Sequence, residues 1–310
     1  MKYLITGAAG LIGRFLIDRL ARDDHEVVAW ILPHESLGNE RRAEHVTDDL
    51  LDEVAVAGVL DRTAPDVIVH LAAQSFPVRS WEKPSETMRI NYESTANLLQ
   101  ALRAAGAPKT RLMFASSSDI YASSKDGTPI SEEAQKGPGS PYGVSKLACD
   151  ALVQLYARAF ALDTICFRPF FLIGPEKRGD VASDFARRVV AIERGAPALL
   201  KTGRTNMVRD MVDVRDGVEA IVVLAERGET ANAYNICTGA GHTVGDVLEY
   251  MKKAAGVRFE TDIDPAFLRP VDEPVRVGDA TKIMALGWKP AITFERTVQD
   301  ILEYWRKAES

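Results

Sequence analysis

Tyr142 and Lys146 lie four positions apart in a segment with helical periodicity. Residues at this spacing share one face of a helix, so we expect the Lys146 ammonium near the Tyr142 phenol, where it lowers the phenol pKa from ~10 toward neutral pH. A tyrosine tuned in this way can donate or accept the proton that accompanies hydride transfer at a carbonyl or alcohol. The alternative is a half-buried tyrosine and a solvated lysine at the start of a helix.

A run of small polar residues, Ser116, Ser117, Ser118 and Asp119, follows a short apolar segment at 111–115. Loops at the carboxyl ends of parallel strands are where ligands bind in an α/β sheet. Hydroxyl groups in this loop can therefore hydrogen-bond a substrate carbonyl.

Three glycines, Gly7, Gly10 and Gly13, follow the apolar segment at 2–6 and precede an amphipathic segment. Gly7 permits a tight turn, Gly10 lets the backbone approach a pyrophosphate, and Gly13 lets a helix pack closely against the strand. The start of that helix offers free N–H groups to an anion. The pattern predicts a dinucleotide-binding turn, against the alternative of a merely structural turn.

The elements that position these residues are visible as apolar runs alternating with amphipathic segments. Continuous apolarity is typical of strands buried on both faces, and it occurs at 2–6, 26–31, 66–71, 111–115 and 164–167. Helices are predicted at 11–20, 85–105 and 144–160. Strict alternation predicts right-handed crossovers, and therefore an α/β fold with a Rossmann-type doubly wound parallel sheet.

After residue 168, glycine and proline interrupt the chain more often and the elements between them are shorter. This pattern predicts a smaller α/β substrate-binding lobe. We expect a dinucleotide-binding domain over 1–168 that is rejoined by about 208–238. Residues 169–207 and 239–310 then form the lobe. A helix-like segment at 213–226 and a strand-like segment at 233–237 are the basis for the predicted return.

Composition narrows the class of protein. The 310 residues are 46% hydrophobic and 26% charged with a formal charge of −6, so nucleic acid is not the expected partner. No segment reaches the ~18 apolar residues of a membrane span, and the amino terminus lacks the pattern of a signal peptide. The three cysteines lie far apart without metal-ligand spacing. We expect a cytoplasmic protein without a metal site or a membrane partner.

The TGxxGxxG pattern and the segment 142–146 together resemble the extended short-chain dehydrogenase/reductase family of the NAD-dependent epimerase/dehydratase type. Members of this family act largely on nucleotide-linked sugars. The resemblance implies that Ser117 completes a catalytic triad with Tyr142 and Lys146, and that Ser118 lies on the substrate side. It further implies that Asn91 opens a helix beside the cofactor and that His45–Thr47 forms a strand before an adenine-contacting pair. The implied cofactor-binding residues are Gly7, Gly10, Leu11, Ile12, Gly13, Asp49, Leu50, Leu71, Ala72, Ala73, Asn91, Tyr142 and Lys146.

Segments at 183–185, 208–216 and 264–270 resemble the GDP-mannose branch of the family, which comprises the 4,6-dehydratase and the 4-keto-6-deoxymannose reductase. Two arginines in these segments suit a diphosphate, because a guanidinium can pair with it bidentately. The alternative for each arginine is an ion pair at the protein surface. The substrate is then a nucleotide sugar, GDP-linked by preference. The implied substrate-binding residues are Ser117, Ser118, Phe171, Asp184, Arg209 and Arg269.

Asp119 stands where the dehydratases carry a glutamate, one methylene longer, that removes the C5 proton. A shift of about 1 Å can cost on the order of a hundredfold in a positioned step. We therefore favour 4-keto reduction over dehydration, with Asp119 as a catalytic candidate. Phe171 replaces the family asparagine of RxFNxxGP, which leaves another sugar nucleotide or a 4-epimerase with retained NAD(P) open.

An alternative that is not an enzyme is a dinucleotide sensor or scaffold built on the same fold. Such a protein would be expected to lack the triad residues. His70, at a strand end, is interpreted as a packed structural group rather than a catalytic acid or base.

The choice of cofactor depends on the end of the strand at 26–31, where an acid would bind the 2′-hydroxyl of NAD. No acid is seen there, and His34, Arg41 or Arg42 can reach a 2′-phosphate, so NADP(H) is favoured with NAD(H) as the alternative. The resemblance also implies a homodimer formed by the helices at 85–105 and 144–160.

Overall fold

The computed structural model describes residues 1–37, 43–106, 109–124, 127–267 and 273–308. The strands, in chain order, are β1 (Lys2–Thr6), β2 (Glu26–Trp30), β3 (Glu44–Val46), β4 (Val67–His70), β5 (Arg111–Ala115), β6 (Thr164–Pro169), β7 (Phe171–Ile173), β8 (Leu199–Thr202), β9 (Val208–Asp213), β10 (Asn232–Ile236), β11 (Gly241–Thr243), β12 (Glu260–Ile263) and β13 (Val275–Arg276).

The helices are α1 (Leu11–Arg22), α2 (Glu53–Thr63), α3 (Pro77–Glu82), α4 (Pro84–Ala104), α5 (Pro141–Phe160), α6 (Val181–Glu193), α7 (Val214–Arg227), α8 (Val244–Ala255), α9 (Thr281–Met284) and α10 (Phe294–Ala308). Single 3₁₀ turns lie at Ser118–Ile120 and Pro265–Phe267. Within the described ranges, no helix is both long and apolar enough to cross a bilayer.

Seven parallel strands of the described chain form the main sheet, in the order β3-β2-β1-β4-β5-β6-β10. Successive strands are added on one side of β1 up to β3 and on its other side from β4 onward. A crevice forms at the carboxyl ends of the strands where the order switches in this way. The predicted doubly wound α/β fold is therefore confirmed. The predicted strands and helices at the front of the chain agree with β1 to β6, α1, α4 and α5 to within three residues.

The sheet is covered on both faces, which explains why its strands are continuously apolar. Neighbouring residues of one strand enter different cores: Tyr3 and Ile5 pack with α1 and α7, whereas Leu4 packs with α2, α4 and α5. A third core joins α6, α8 and α10 to β9. The site residues at the carboxyl edge are thus held by packing on two sides.

The chain returns to the main sheet after building part of a second one. Strand β9 pairs with β7 and β13 in parallel and with β11 antiparallel, and β8 pairs with β12. The next elements, α7 and β10, lie with the main sheet, where β10 pairs with β6. The division into a cofactor domain and a substrate-binding lobe stays a prediction.

A buried ion pair joins α5 to β6. The guanidinium of Arg168, 3% exposed, donates from Nε and Nη2 to both carboxylate oxygens of Asp150, 2% exposed, each at 2.9 Å. Its Nη1 donates to the Tyr121 hydroxyl at 2.9 Å and to the Glu132 carbonyl at 3.0 Å. The Tyr121 hydroxyl in turn donates to Asn235 Oδ1 at 2.7 Å. The pair therefore ties α5, β6, the loop after β5 and β10 together.

Replacing Arg168 by Met is expected to lower the free energy of unfolding by about 3–5 kcal/mol, because the Asp150 carboxylate stays buried without its partner. Urea unfolding at neutral pH measures the change. The matched control is Arg158→Met on the same helix, which changes an exposed side chain and is expected to change stability by no more than about 0.5 kcal/mol. Equal effects of the two substitutions would contradict the role given to the pair.

Candidate active site

The glycine turn between β1 and α1 is closely packed. Gly7 has a φ of +64°, and a Cβ there would lie 2.7 Å from the Ala72 backbone. A Cβ on Gly13 would lie 2.5 Å from the Ala8 carbonyl oxygen. Both positions therefore require glycine. The turn brings the first N–H groups of α1, which have no acceptor within the helix, to the crevice between β1 and β4.

The loop after β4 is held to the glycine turn by a chain of hydrogen bonds. The Ala72 N–H donates to Thr6 Oγ1 at 3.2 Å, and Thr6 Oγ1 lies 2.7 Å from His70 Nδ1. His70 Nε2 lies 3.1 Å from Thr95 Oγ1, whose own proton goes to the Asn91 carbonyl. Because Thr95 must accept, His70 donates from Nε2 and accepts from Thr6 at Nδ1.

His70 is thus a structural group within this chain. Burial lowers the pKa of the imidazole to about 3, so the ring is uncharged at neutral pH. The sequence interpretation of His70 as a packed group agrees with this geometry.

The three serines in the loop after β5 make different contacts. Ser117 caps the 3₁₀ turn, and its Oγ accepts a hydrogen bond from the Asp119 N–H at 3.1 Å. The Ser116 N–H donates to the Phe167 carbonyl on β6 at 2.8 Å. Ser116 Oγ is buried and has no hydrogen-bond partner in the described structure. Ser118 is buried and contributes its carbonyl group, as described below.

Tyr142 lies in the first turn of α5, which is capped by a serine and begins with a proline. Ser140 Oγ accepts the Gly143 N–H at 3.0 Å, and Pro141 occupies the first helical position. A Cβ on Gly143 would lie 2.5 Å from the Asp119 carbonyl oxygen, so the helix start rests directly on the 3₁₀ turn. This contact brings Ser117 and Tyr142 together.

The pKa of the Tyr142 phenol is raised by burial first and by the charge of Asp119 second, while a hydrogen bond with Ser117 acts in the opposite direction. The expectation that Lys146 lowers this pKa is wrong for this geometry. The Lys146 Nζ donates instead to the Ala115 carbonyl at 2.8 Å and lies 5.0 Å from the centre of the Phe114 ring.

Lys146 is 3% exposed, and burial lowers its pKa to about 8. The ammonium lies at the carboxyl end of β5, on the same helix face as Tyr142. A lysine in this environment is charged at neutral pH but loses its proton readily.

Asn91 does not open a helix, because α4 begins at Pro84 and Asn91 lies inside it. Its Oδ1 accepts the Gln74 N–H at 2.7 Å, and its Nδ2 donates to Ser145 Oγ at 2.8 Å and to the Gln74 carbonyl at 3.2 Å. Both ends of the amide are engaged by protein groups, so Asn91 holds the loop after β4 to α5. A direct cofactor contact of Asn91 stays a prediction.

The residues expected at the adenine end surround the turns after β2 and β3. Asp49 Oδ1 accepts the Leu51 N–H at 2.9 Å, and the Leu50 carbonyl accepts from Asn97 Nδ2 at 3.0 Å. His34 is exposed. An acid that the sequence interpretation missed also lies here: the Glu35 carboxylate accepts the Leu32 N–H at 2.9 Å. Arg41 and Arg42 lie outside the described residues.

The expected substrate residues are distributed over the smaller sheet and its helices. Phe171 is half-buried in β7, with Lys177 Nζ 4.6 Å from its ring centre. Asp184 forms an ion pair with Arg188 at 2.9 Å in the first turns of α6. Arg209 on β9 donates from Nη1 to the carbonyls of Val208 and Glu273, both at 2.8 Å. Arg269 lies outside the described residues.

Arg276 is a further residue of this region that the sequence interpretation missed. It pairs in register with Arg209 and is 5% exposed. No spacing pattern marked it, because it reaches the loop after β5 only across the contact between the two sheets.

Two features of the crevice fit a nicotinamide dinucleotide. Gly7 lies against the Leu71–Ala72 backbone and Gly10 against the Gly7 carbonyl, so the turn carries no side chain at either position. The first N–H groups of α1 suit a pyrophosphate. Ser116 Oγ supplies a buried hydroxyl without a protein partner beside Lys146 and its acceptor Ala115. The described residues contain no group of three or more His, Cys, Asp or Glu side chains that could hold a metal ion.

The fold and this arrangement of Ser117, Tyr142 and Lys146 define an extended short-chain dehydrogenase/reductase. The model of the family described as GDP-mannose 4,6 dehydratase matches residues 4–301, and the chain belongs to this family of NAD(P)-dependent nucleotide-sugar oxidoreductases.

Relatives with different activities resemble the whole chain. The GDP-6-deoxy-D-mannose reductase of Pseudomonas aeruginosa is 32% identical over 308 residues, covering 98% of this chain and 97% of that protein. The structure of RMD from Pseudomonas aeruginosa complexed with NADPH has a TM-score of 0.87 at 30% identity and 99% coverage of both chains. The Thermus thermophilus UDP-glucose 4-epimerase complexed with NAD has a TM-score of 0.89 at 30% identity, covering 99% of this chain and all of that one. The cofactor is thus a nicotinamide dinucleotide.

Lys146→Met is expected to change the pH dependence of stability. The folded protein releases the Lys146 proton at about pH 8, whereas the unfolded chain holds it to about pH 10.4. Between these values the unfolded state binds more protons, so the wild type gains stability with rising pH. Relative to Lys146→Met, we expect a gain on the order of 1–3 kcal/mol from pH 7 to about pH 10.

Denaturant unfolding of both proteins across this pH window measures the gain. Lys253→Met, which changes an exposed lysine, is the control and should leave the pH dependence of the wild type unchanged. A parallel pH dependence of wild type and Lys146→Met would contradict the lowered pKa.

Proposed function

We propose that the protein reduces the 4-keto group of a nucleotide-linked 4-keto-6-deoxyhexose, with GDP-4-keto-6-deoxymannose as the preferred substrate. The observation that carries the proposal is the placement of the buried Tyr142 phenol, which is hydrogen-bonded to Ser117 and lies near the charge of Asp119. Burial and the Asp119 charge raise the phenol pKa above its ordinary value, so the side chain holds its proton at neutral pH. Reduction needs a proton donor at C4, whereas epimerisation and dehydration both begin by removing a proton from the C4 hydroxyl.

In the proposed mechanism, the bound reduced nicotinamide supplies the hydride. As C4 receives this electron pair, the C4 oxygen becomes an alkoxide and takes the proton of the Tyr142 hydroxyl, which gives a secondary alcohol. Ser117 orients the carbonyl by hydrogen bonding, and Lys146, whose Nζ donates to the Ala115 carbonyl, would hold the cofactor ribose. Tyr142 regains its proton from solvent.

Asp119 supports reduction over dehydration. Its carboxylate raises the pKa of Tyr142, which keeps the phenol protonated, and its side chain is one methylene shorter than the glutamate of the dehydratases. Simple reduction requires no base at C5. Two relatives are a reductase acting on a GDP-linked deoxysugar and an epimerase acting on a UDP-linked sugar, so the nucleotide is part of the proposal.

For the cofactor we propose a preference for NADP(H). The buried Trp30 ends β2, and the exposed Leu32 and His34 follow it. One oxygen of the Glu35 carboxylate accepts the Leu32 N–H. Running the reduction with NADH in place of NADPH tests the preference, which a higher kcat/KM with NADH would overturn.

We also propose a homodimer formed through α4 and α5. These helices expose apolar side chains, and the larger exposed ones are Tyr92, Val144, Leu155 and Phe160. Sedimentation equilibrium tests the assembly, and a monomer at micromolar concentration would overturn it.

Tyr142→Phe is expected to lower kcat by about 10²–10⁴-fold, because the proton donor is lost, while the Kd of NADPH stays within about twofold. The assay mixes the enzyme with NADPH and enzymatically prepared GDP-4-keto-6-deoxymannose and follows the nicotinamide absorbance. Tyr156→Phe, on the same helix, is the matched control and should retain wild-type turnover. Retained turnover in Tyr142→Phe, or no NADPH oxidation by the wild type, would refute the proposal.

Asp119→Asn separates reduction from dehydration. In a reductase, removing the charge lowers the pKa of Tyr142 and makes the phenol a stronger acid, so kcat stays within about tenfold of the wild type or rises. In a dehydratase the same change removes a base and costs about 10²–10⁴-fold. Assaying the variant both with the 4-keto substrate and with GDP-mannose distinguishes the two outcomes.

A further inference from the structure

Arg276 crosses from the smaller sheet to the loop that carries Ser117. It lies in β13 and is 5% exposed. Its Nη1 donates to the Ser118 carbonyl, and its Nη2 lies 3.4 Å from the Tyr121 carbonyl oxygen. Its Nε and Nη2 also donate to Glu273 Oε2, at 2.7 Å from Nε. The guanidinium therefore spans both ends of the 3₁₀ turn.

The two carbonyls bracket the part of the loop that positions the candidate triad serine. Within the turn, the Tyr121 N–H donates to the Ser118 carbonyl at 3.1 Å, and the Asp119 N–H donates to Ser117 Oγ at 3.1 Å. A carbonyl oxygen has two lone pairs, so the Ser118 carbonyl accepts from Tyr121 and from Arg276 together. Arg276 thus holds the turn closed from outside.

The same ion pair also touches the segment that leads into α5. The Glu273 Oε1 lies 3.2 Å from the position a Cβ would take on Gly139, just before Ser140 and Tyr142. The Asp119 carbonyl in turn meets Gly143. Arg276 and Glu273 therefore contact both segments whose relative position sets the distance between Ser117 and Tyr142.

A buried guanidinium is costly unless its donors are all used. An apolar residue at this position of β13 would fill the contact between the sheets at less cost. Arg276 instead contacts two backbone carbonyls of the loop after β5. This arrangement is expected of a side chain that fixes the conformation of that loop.

We propose that Arg276 is a positioning residue for the reduction: it holds the turn at Ser118–Tyr121 so that Ser117 and Tyr142 meet the substrate carbonyl together. This inference rests on the proposed function. Because β13 belongs to the smaller sheet, Arg276 also links that sheet to the candidate triad.

The first test is kinetic. Arg276→Ala is expected to lower kcat by about 10²-fold, since a misplacement of about 1 Å costs that much in a positioned step. The KM for GDP-4-keto-6-deoxymannose and the Kd of NADPH should stay within about threefold. Guanidinium ion at a non-denaturing concentration should restore part of kcat in this variant. The matched control is Arg258→Ala, which changes an exposed arginine of the same region and should leave all three parameters unchanged.

Arg276→Lys tests the geometry with the charge retained. A lysine ammonium reaches one carbonyl but cannot span both as the planar fork does, so we expect a folded protein whose kcat is lowered by about tenfold. Wild-type kcat in Arg276→Lys would overturn the inference. A large rise in the KM of either variant at unchanged kcat would do the same, because it would make Arg276 a substrate contact.

The second test does not depend on turnover. Hydrogen exchange at the amides of Asp119 and Tyr121 should be faster in Arg276→Ala and Arg276→Lys than in the wild type, and unchanged in Arg258→Ala. If the wild type does not reduce the substrate but exchange still rises, the proposed function fails while the role of Arg276 in holding the turn stands. If the wild type is active and neither kcat nor exchange changes in the variants, the inference fails alone.

Discussion

The paired charges of Asp150 and Arg168 set the geometry on which the site depends. Both side chains are buried, and their bidentate contact satisfies the carboxylate while the third nitrogen of the guanidinium reaches Tyr121 and Glu132. A charge can remain in such a place only when its partner is there too. The pair therefore fixes α5 against β6 and, through Tyr121, fixes the loop after β5. It leaves little freedom in where the two candidate catalytic segments meet.

Burial favours the neutral form of both Tyr142 and Lys146 on α5. It raises the pKa of Tyr142 and lowers the pKa of Lys146 to about 8, because an apolar environment disfavours either charge. The phenol consequently keeps its proton at neutral pH, and Lys146 titrates close to neutral pH. Asp119 adds to the effect on Tyr142. This arrangement suits the proposed reaction, which consumes a proton at the substrate oxygen.

In the smaller sheet, acidic residues of the predicted substrate-binding segment have structural roles. In the segment that resembles nucleotide-sugar contacts, the buried Asp210 carboxylate accepts from the N–H groups of Thr238, Gly239 and Gly278. Asp213 caps α7 and accepts from Thr297 Oγ1 at 2.7 Å. These carboxylates are occupied in holding loops and a helix end. Arg209 on β9 and Arg276 on β13 pair in register, and both donate to backbone carbonyls.

The sequence by itself determined the local features: the continuous apolar strands, the glycine turn, and Tyr142 and Lys146 on one helix face, because each depends on spacing within a few residues. The parallel arrangement of the main sheet follows from the alternation of strands and helices, which form right-handed crossovers. Only the tertiary structure decided the rest. Lys146 turns to the Ala115 carbonyl rather than tuning the phenol, Asn91 serves α4 and α5 from inside a helix, and Arg276 reaches the Ser118 carbonyl 158 positions away. Burial and long-range hydrogen bonds set these outcomes, and neither leaves a periodic signal in the chain.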